Sequence, residues 1–262
     1  PNEKVSVNDL LEGIITLSGK DACIVLAEGI AGTEGAFTDL MNRNAQKLGL
    51  TNSHFGNSQG WPDNDVTHVT ARDLATLAEA TIRDFPDLYK RFYARPNMIW
   101  GKTMGGHDIN QDNRNPLLGR VEGADGLKTG HTDEAGFGFT GSAEQNGRRV
   151  VMVLAGLSSF NQRISESVSF MNWGLHAWRL IKIAPKGKQI ETAEVQLGDA
   201  TSVGLVAPKD LAVTVPAGLG SEMKMSVVYN GPIKAPFKAG DHIADLGVLV
   251  PGMPAQSIPR AA

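Results

Sequence analysis

The chain has a single cysteine, Cys23, so no disulfide can form within it. The neighbours Ala22, Ile24 and Val25 are apolar and point to a buried, inert thiol rather than a reactive one. No apolar run approaches the ~20 residues that a membrane-crossing helix requires. Neither sign of charge dominates: the formal net charge is −3, and no basic stripe offers a nucleic acid its footprint. The six histidines are scattered and no His-Glu-x-x-His occurs, so the sequence carries no zinc-protease signature. The pair Gly105-Gly106 lacks the following Lys-Ser/Thr and helix of a phosphate loop. No metal, cofactor or nucleic acid is therefore expected. Pro1 opens no signal peptide, which reads as a processed or truncated start.

What remains is an ordinary globular composition. With 41% apolar and 20% charged residues, the 262-residue chain can build one large or two moderate cores. Its first part has helical periodicity. Leu10, Leu11, Ile14 and Ile15 share a face over Asn8–Leu17, and a second helix runs on from Asp21 to Glu28. Phe37, Leu40, Met41, Ala45 and Leu48 predict a helix over Thr33–Leu48, stopped by Gly49. Thr70-Ala71-Arg72-Asp73 resembles a capping box and opens another. Gly56–Asp65 and most of Gly101–Arg120 read as loop, and Gln162–Ile183 as one long helix. The pattern changes at Ala184-Pro185-Lys186-Gly187-Lys188. Beyond it, short alternating runs over Ile190–Leu197, Ser202–Val206, Leu211–Val215, Lys224–Tyr229 and Ile243–Val250 are punctuated by Gly and Pro. This predicts a small β-sandwich and a domain boundary near Ile183–Lys188.

The most informative run is Gly126-Leu127-Lys128-Thr129-Gly130-His131-Thr132. Two apolar strands follow it, Gly136–Ala143 and Arg148–Ala155, joined by Asn146-Gly147, a pair suited to a tight hairpin with φ > 0 at both positions. A Lys-Thr-Gly strand feeding such a hairpin lines the pocket of serine penicillin-recognising enzymes. Those enzymes also carry a Ser-x-Asn element earlier in the chain, for which Ser18-Gly19-Lys20 is the candidate.

Further stretches are similar to the same group: Asp21-Ala22-Cys23, Met41-Asn42, Leu48-Gly49-Leu50-Thr51-Asn52-Ser53-His54-Phe55, Ala71-Arg72-Asp73, Asn113-Arg114-Asn115 and Trp173-Gly174. The chain resembles the D-alanyl-D-alanine carboxypeptidases among the low-molecular-mass penicillin-binding proteins, over most of its first 180 residues and its β-rich tail. The resemblance implies an α+β fold. A penicillin-binding, β-lactamase-like transpeptidase domain would occupy residues 1–184, and a small C-terminal all-β sandwich residues 185–262. It implies a periplasmic serine carboxypeptidase at the outer face of the inner membrane, acting on peptidoglycan pentapeptides and acylated by β-lactam antibiotics.

The resemblance also implies a role for each site residue, as follows. Lys128 faces the pocket and aids proton transfer at the serine. Thr129 hydrogen-bonds the peptide's terminal carboxylate, and Gly130 leaves room for a substrate along the strand. His131 contributes its backbone N–H to the oxyanion hole. Ser18 relays a proton to the leaving amine; its bland alternative is a helix cap. Arg163 offers a bidentate partner for the carboxylate, with a surface arginine as its alternative. Arg114 is either a second pocket cation or a loop brace. Gln59-Gly60-Trp61 stands where the family commonly has His-Gly-Leu and inherits no role. Lys20 replaces the usual Asn and adds a cation, so it either leaves the pocket or alters activity.

The nucleophile motif Ser-x-x-Lys, which belongs several tens of residues before Ser18, is not found there. Its one occurrence is Ser221-Glu222-Met223-Lys224, in the β-patterned tail, where a solvated strand or turn is expected. Arg149–Ala155 is an almost continuous apolar strand, expected to be covered on both faces yet last in its meander. These features lead to the expectation of an N-terminal segment, lost or held as a separate cleaved chain, that supplies both a neighbouring strand and the nucleophile. Two other readings stay open: a catalytically inactive homologue that binds cell-wall peptides, and a class A-like β-lactamase. The second is weakened because no Glu-x-x-Leu-Asn lies between Lys20 and Lys128.

Overall fold

A computed structural model describes residues 3–261. The chain divides into two compact units, residues 1–175 and 176–262.

The first unit begins with helix α1 (Val7–Glu12), capped by Ser6, whose Oγ accepts from Asp9 N at 3.1 Å. The helix widens into a π-helical turn over Gly13–Leu17 and stops at Ser18. Helix α2 (Lys20–Ala31) starts two residues later, and α3 (Glu34–Lys47) is capped by Thr33. Only half of the expected capping box forms: Thr70 Oγ1 accepts from Asp73 N at 3.1 Å at the head of α4 (Ala71–Asp84), while Thr70 N donates to Ser53 Oγ at 3.3 Å. The Asp73 carboxylate turns instead to the loop before it, accepting from Asn52 N at 3.0 Å and Ser53 Oγ at 2.7 Å. Helix α5 (Pro86–Phe92) follows with Pro at its first turn, where a missing N–H costs nothing.

Two expectations are corrected here. The stretch Gly101–Arg120, read mostly as loop, holds the second strand of a hairpin and the end of the first, β1 (Asn97–Lys102) against β2 (Asp108–Asp112). Its residues are almost all exposed, so no alternation of apolar and polar marked it. The long helix is shorter than its periodicity suggested: α6 spans Phe160–His176, and Trp178–Ala184 is a strand. Ile181 and Ile183 flank the exposed Lys182, a period of two that the helical spacing of Leu175 and Trp178 had masked.

Between α5 and α6 lies an antiparallel sheet of β3 (Ala124–Thr132), β4 (Gly136–Gln145) and β5 (Arg148–Leu157), in that order. The β4–β5 turn has φ of 52° at Asn146 and 72° at Gly147, both positive as the pair predicts. Each face of the sheet is covered by helix. Met152 joins Leu117, Phe139, Met171 and Leu175 on the α6 side. Val151 and Leu127 pack with Ala78 and Tyr89 from α4 and α5 on the other. Burial of side chains such as Leu117 and Met171 contributes about 1.5–3 kcal/mol each. Helix α6 approaches β5 so closely that a Cβ on Gly174 would stand 3.0 Å from Val150. Of residues 149–155 only Met152 is fully buried, so the strand is covered less completely than its composition suggested. β5 hydrogen-bonds β4 on one side, and among the described residues no strand pairs with its other edge.

The second unit is all β after the end of α6. Its strands are β6 (Trp178–Ala184), β7 (Gln189–Gln196), β8 (Ser202–Val206), β9 (Leu211–Pro216), β10 (Lys224–Val228), β11 (Ile233–Lys234), β12 (His242–Leu249) and β13 (Gln256–Ala261). One sheet runs β10-β12-β13-β8-β7-β11 and the other pairs β6 with β9. β9 and β12 bury alternate residues, and Leu211, Val213 and Val215 meet Leu246 and Val248 in one core. The result is the expected sandwich. Ser221-Glu222-Met223-Lys224 runs from a 3₁₀ turn into β10, in this unit.

Candidate active site

The first unit carries a cleft of about 750 Å³ whose walls come from the Ile14–Cys23 region, Met41 of α3, the loop 55–60 with Thr67, Arg114, strand β3 with Phe137 of β4, and the start of α6. All eight residues singled out from the sequence line it: Ser18, Lys20, Arg114, Lys128, Thr129, Gly130, His131 and Arg163.

Ser18 ends the π-helical turn with φ 61° and ψ 45°, a left-handed conformation uncommon for a residue with a Cβ. Such strain collects at functional sites, as π-turns do. Its hydroxyl caps no helix. Instead Oγ receives a hydrogen bond from Lys128 Nζ, which also donates to Thr129 O at 2.9 Å. The Lys128 amine is half-enclosed. Burial, then the Arg114 guanidinium, pull its pKa from the usual lysine value down to about 8; Arg163 and Lys20 push the same way and Cys23 opposes them. An amine poised there exchanges a proton with a neighbouring hydroxyl near neutral pH.

Thr129 and Gly130 continue along β3. A Cβ added to Gly130 would meet nothing within 4 Å, so the strand presents open floor at this point. The His131 ring lies against Phe137, centroids 3.9 Å apart. Beyond them Arg163, only 4% exposed, is held between two aromatic faces, its guanidinium 5.4 Å from the Phe137 centroid and 5.2 Å from that of Phe160. Nη1 donates to Gly130 O at 3.4 Å, while Nε is buried without a partner among the described residues. Burial, then Arg114, depress its basicity. A buried cation with an unused donor, fixed at the end of an open strand, is suited to an anionic ligand.

Arg114 belongs to the cleft, and the bracing falls to its neighbours. Asn113 Nδ2 donates to Arg95 O at 2.8 Å, and Asn115 Oδ1 accepts from Leu117 N at 2.9 Å. Lys20 also stays in the cleft, its ammonium 5.1 Å from the centre of the Trp61 ring.

Two residues were assigned otherwise from the sequence. Cys23 is only partly buried and lines the cleft beside Lys128, because α2 turns that face inward; burial raises its thiol pKa, which keeps it protonated. Gln59, given no role, lines the cleft with Oε1 buried and unpartnered among the described residues. The aromatic clamp of Phe137 and Phe160 left no sequence signal beyond two phenylalanines far apart. Among the described residues no cluster of three or more His, Cys, Asp or Glu could hold a metal ion.

Comparison with known proteins bears on this geometry. The family described as D-alanyl-D-alanine carboxypeptidase matches residues 1–159, and that described as penicillin-binding protein 5, C-terminal domain, matches residues 178–260. The chain is 38% identical over 225 residues to the D-alanyl-D-alanine carboxypeptidase DacA of Haemophilus influenzae, covering 85% of this chain and 55% of that protein. It is also similar to the crystal structure of penicillin-binding protein 5 from Haemophilus influenzae. There the TM-score is 0.88 at 34% identity, over 99% of this chain and 74% of the other. Penicillin-binding protein D2 from Listeria monocytogenes, solved in a cefotaxime-bound form, matches with a TM-score of 0.58 at 31% identity, over 65% of this chain and 67% of that one. The chain thus spans little more than half the length of the DacA relative.

Proposed function

Because the chain belongs to the D-alanyl-D-alanine carboxypeptidase family, we propose that its cleft receives the D-alanyl-D-alanine end of peptidoglycan peptides and takes part in releasing the terminal D-alanine through an acyl-enzyme. The observation that carries this reading is the hydrogen bond from Lys128, midway along β3, to Ser18, with Arg163 of α6 donating to Gly130 O two residues further along the strand. A peptide laid along β3 brings its terminal carboxylate to Thr129 and Arg163. Its scissile carbonyl then lies near the His131 N–H, one donor of the oxyanion hole. Ser18 and Lys128 pass the serine's proton to the leaving amine. β-Lactams, whose strained amide copies the scissile bond and whose carboxylate copies the peptide end, acylate the same site. The reaction belongs to the periplasm, at the outer face of the inner membrane, where trimming of peptides bears on cell shape.

The nucleophile comes, in this reading, from a Ser-x-x-Lys segment that adds a strand to the free edge of β5. Support lies in that edge, whose backbone groups are unpaired by any described strand. The test joins a Ser-x-x-Lys segment from the Haemophilus relative to this chain, in cis or as a separate piece. Release of D-alanine and labelling by a fluorescent penicillin are then measured, with Lys128→Ala and Ser18→Ala as controls. Turnover that is lost in both variants supports the proposal. Tight peptide binding with neither turnover nor labelling would instead favour a binding-only homologue, a reading to which Lys20 lends some weight.

A further inference from the structure

Four cations line the cleft (Lys20, Arg114, Lys128 and Arg163), and no aspartate or glutamate lines it with them. A peptide that ends in a free carboxylate brings one negative charge to this surplus. In the carboxypeptidase reading Thr129 and Arg163, which both line the cleft, take up that charge.

Lys20 stands apart from the other three. It is the first residue of α2, where the positive end of the helix dipole opposes a cation. Among the described residues its side chain makes no hydrogen bond or ion pair; its ammonium rests over the exposed face of Trp61. That contact tethers the charge at the cleft wall instead of letting the side chain swing into solvent. A lysine placed against local electrostatics, unpaired and aimed by an aromatic ring breaks the rules of stability where function is expected to explain it.

We propose that Lys20 is a specificity-determining residue that selects peptides carrying a second carboxylate on the acyl side of the scissile bond. The acyl side follows from the chemistry of the substrate. The leaving D-alanine has one carboxylate and an uncharged methyl side chain, so a further negative charge can come only from residues that precede the scissile bond. The ligand class is an acidic peptide, a diacid residue before D-alanyl-D-alanine rather than its carboxamide. The inference rests on the carboxypeptidase reading of the cleft.

The test uses calorimetry on the 262-residue chain at low ionic strength with two probes, N-acetyl-L-glutamyl-D-alanyl-D-alanine and its glutaminyl counterpart. The glutamyl peptide is expected to bind roughly tenfold more tightly, the worth of a hydrogen bond to a charged group. The margin narrows as salt is added. It falls to about one in Lys20→Asn and in Lys20→Gln, two variants in case one fails to fold, and it persists in Lys20→Arg. Equal affinities in the wild type, or a margin that survives both neutral substitutions, overturn the inference while leaving the cleft's assignment intact. If neither peptide binds, the carboxypeptidase reading fails and this inference falls with it.

Discussion

Lys128 donates a hydrogen bond to Ser18 Oγ although 110 positions separate them in the chain. The pair is the point on which the two halves of the cleft close. Its proton balance can be measured. With a folded pKa of about 8 against 10.5 for an ordinary lysine, the unfolded chain binds the extra proton between those values. Stability contributed by this group therefore rises with pH across that window and is at its lowest below pH 8. Urea titrations at several pH values are expected to show wild-type stability rising relative to Lys128→Met between pH 8 and 10. A flat difference would refute the depressed pKa.

Arg163 should distinguish acids from amides. Its unpaired, buried Nε and its aromatic clamp prepare it for a carboxylate. Arg163→Ala is expected to weaken binding of a D-alanyl-D-alanine peptide roughly 10- to 100-fold, and binding of the same peptide ending in a carboxamide far less. Parallel losses for both would remove the arginine from carboxylate recognition.

The base of β3 is held by a polar cluster. Tyr89 Oη donates to Asp125 at 2.8 Å, and Arg149 bridges Asp125, Ser142 and Glu144. Burial raises the Tyr89 pKa, and the Asp125 carboxylate adds to the effect, so the phenol stays protonated. Tyr89→Phe is expected to cost about 1 kcal/mol. Gly126→Ala should cost more, on the order of 1–3 kcal/mol, because the added Cβ would meet the Tyr89 ring. Chemical denaturation of both variants checks the order.

Lys20 predicts a trade between stability and recognition. Lys20→Asn removes a cation from a helix N-terminus and should raise stability by about 0.3–1 kcal/mol while it erases the preference for the acidic peptide. A thermal melt beside the binding assay reads both. A variant that lost stability as well would mean that the Trp61 contact outweighs the dipole.

Where a local rule governs, the chain announced its structure. Thr70 caps α4, Asn146-Gly147 turns the hairpin, and β9 and β12 alternate as a sandwich requires. Seven of the eight cleft residues were likewise visible, because they sit in short motifs with a family likeness; Arg163 was picked out only by its place at the start of a helix. What stayed hidden was set by tertiary contact. The β1–β2 hairpin buries almost nothing and so has no apolar period. The end of α6 was obscured because Leu175 and Trp178 keep a helical spacing across a change of structure. Cys23 sits among apolar neighbours, and only the placing of α2 opens it to the cleft. The fate of Lys20, in or out of the cleft, depended on Trp61, forty-one positions away in a loop.

The π-helical turn at Gly13–Leu17 also bears on how such a site tolerates insertion and deletion. Each residue of a helix turns the chain by about 100°. Loss of one residue between 13 and 17 would restore regular winding, yet it would rotate the Ser18 hydroxyl away from Lys128. The wide turn acts as a phase setting: one extra residue, accommodated without breaking the helix, fixes the direction in which the serine faces. In a library of single-codon deletions, this short stretch should stand out as intolerant although it contributes only one polar side chain, Thr16, which touches none of the cleft.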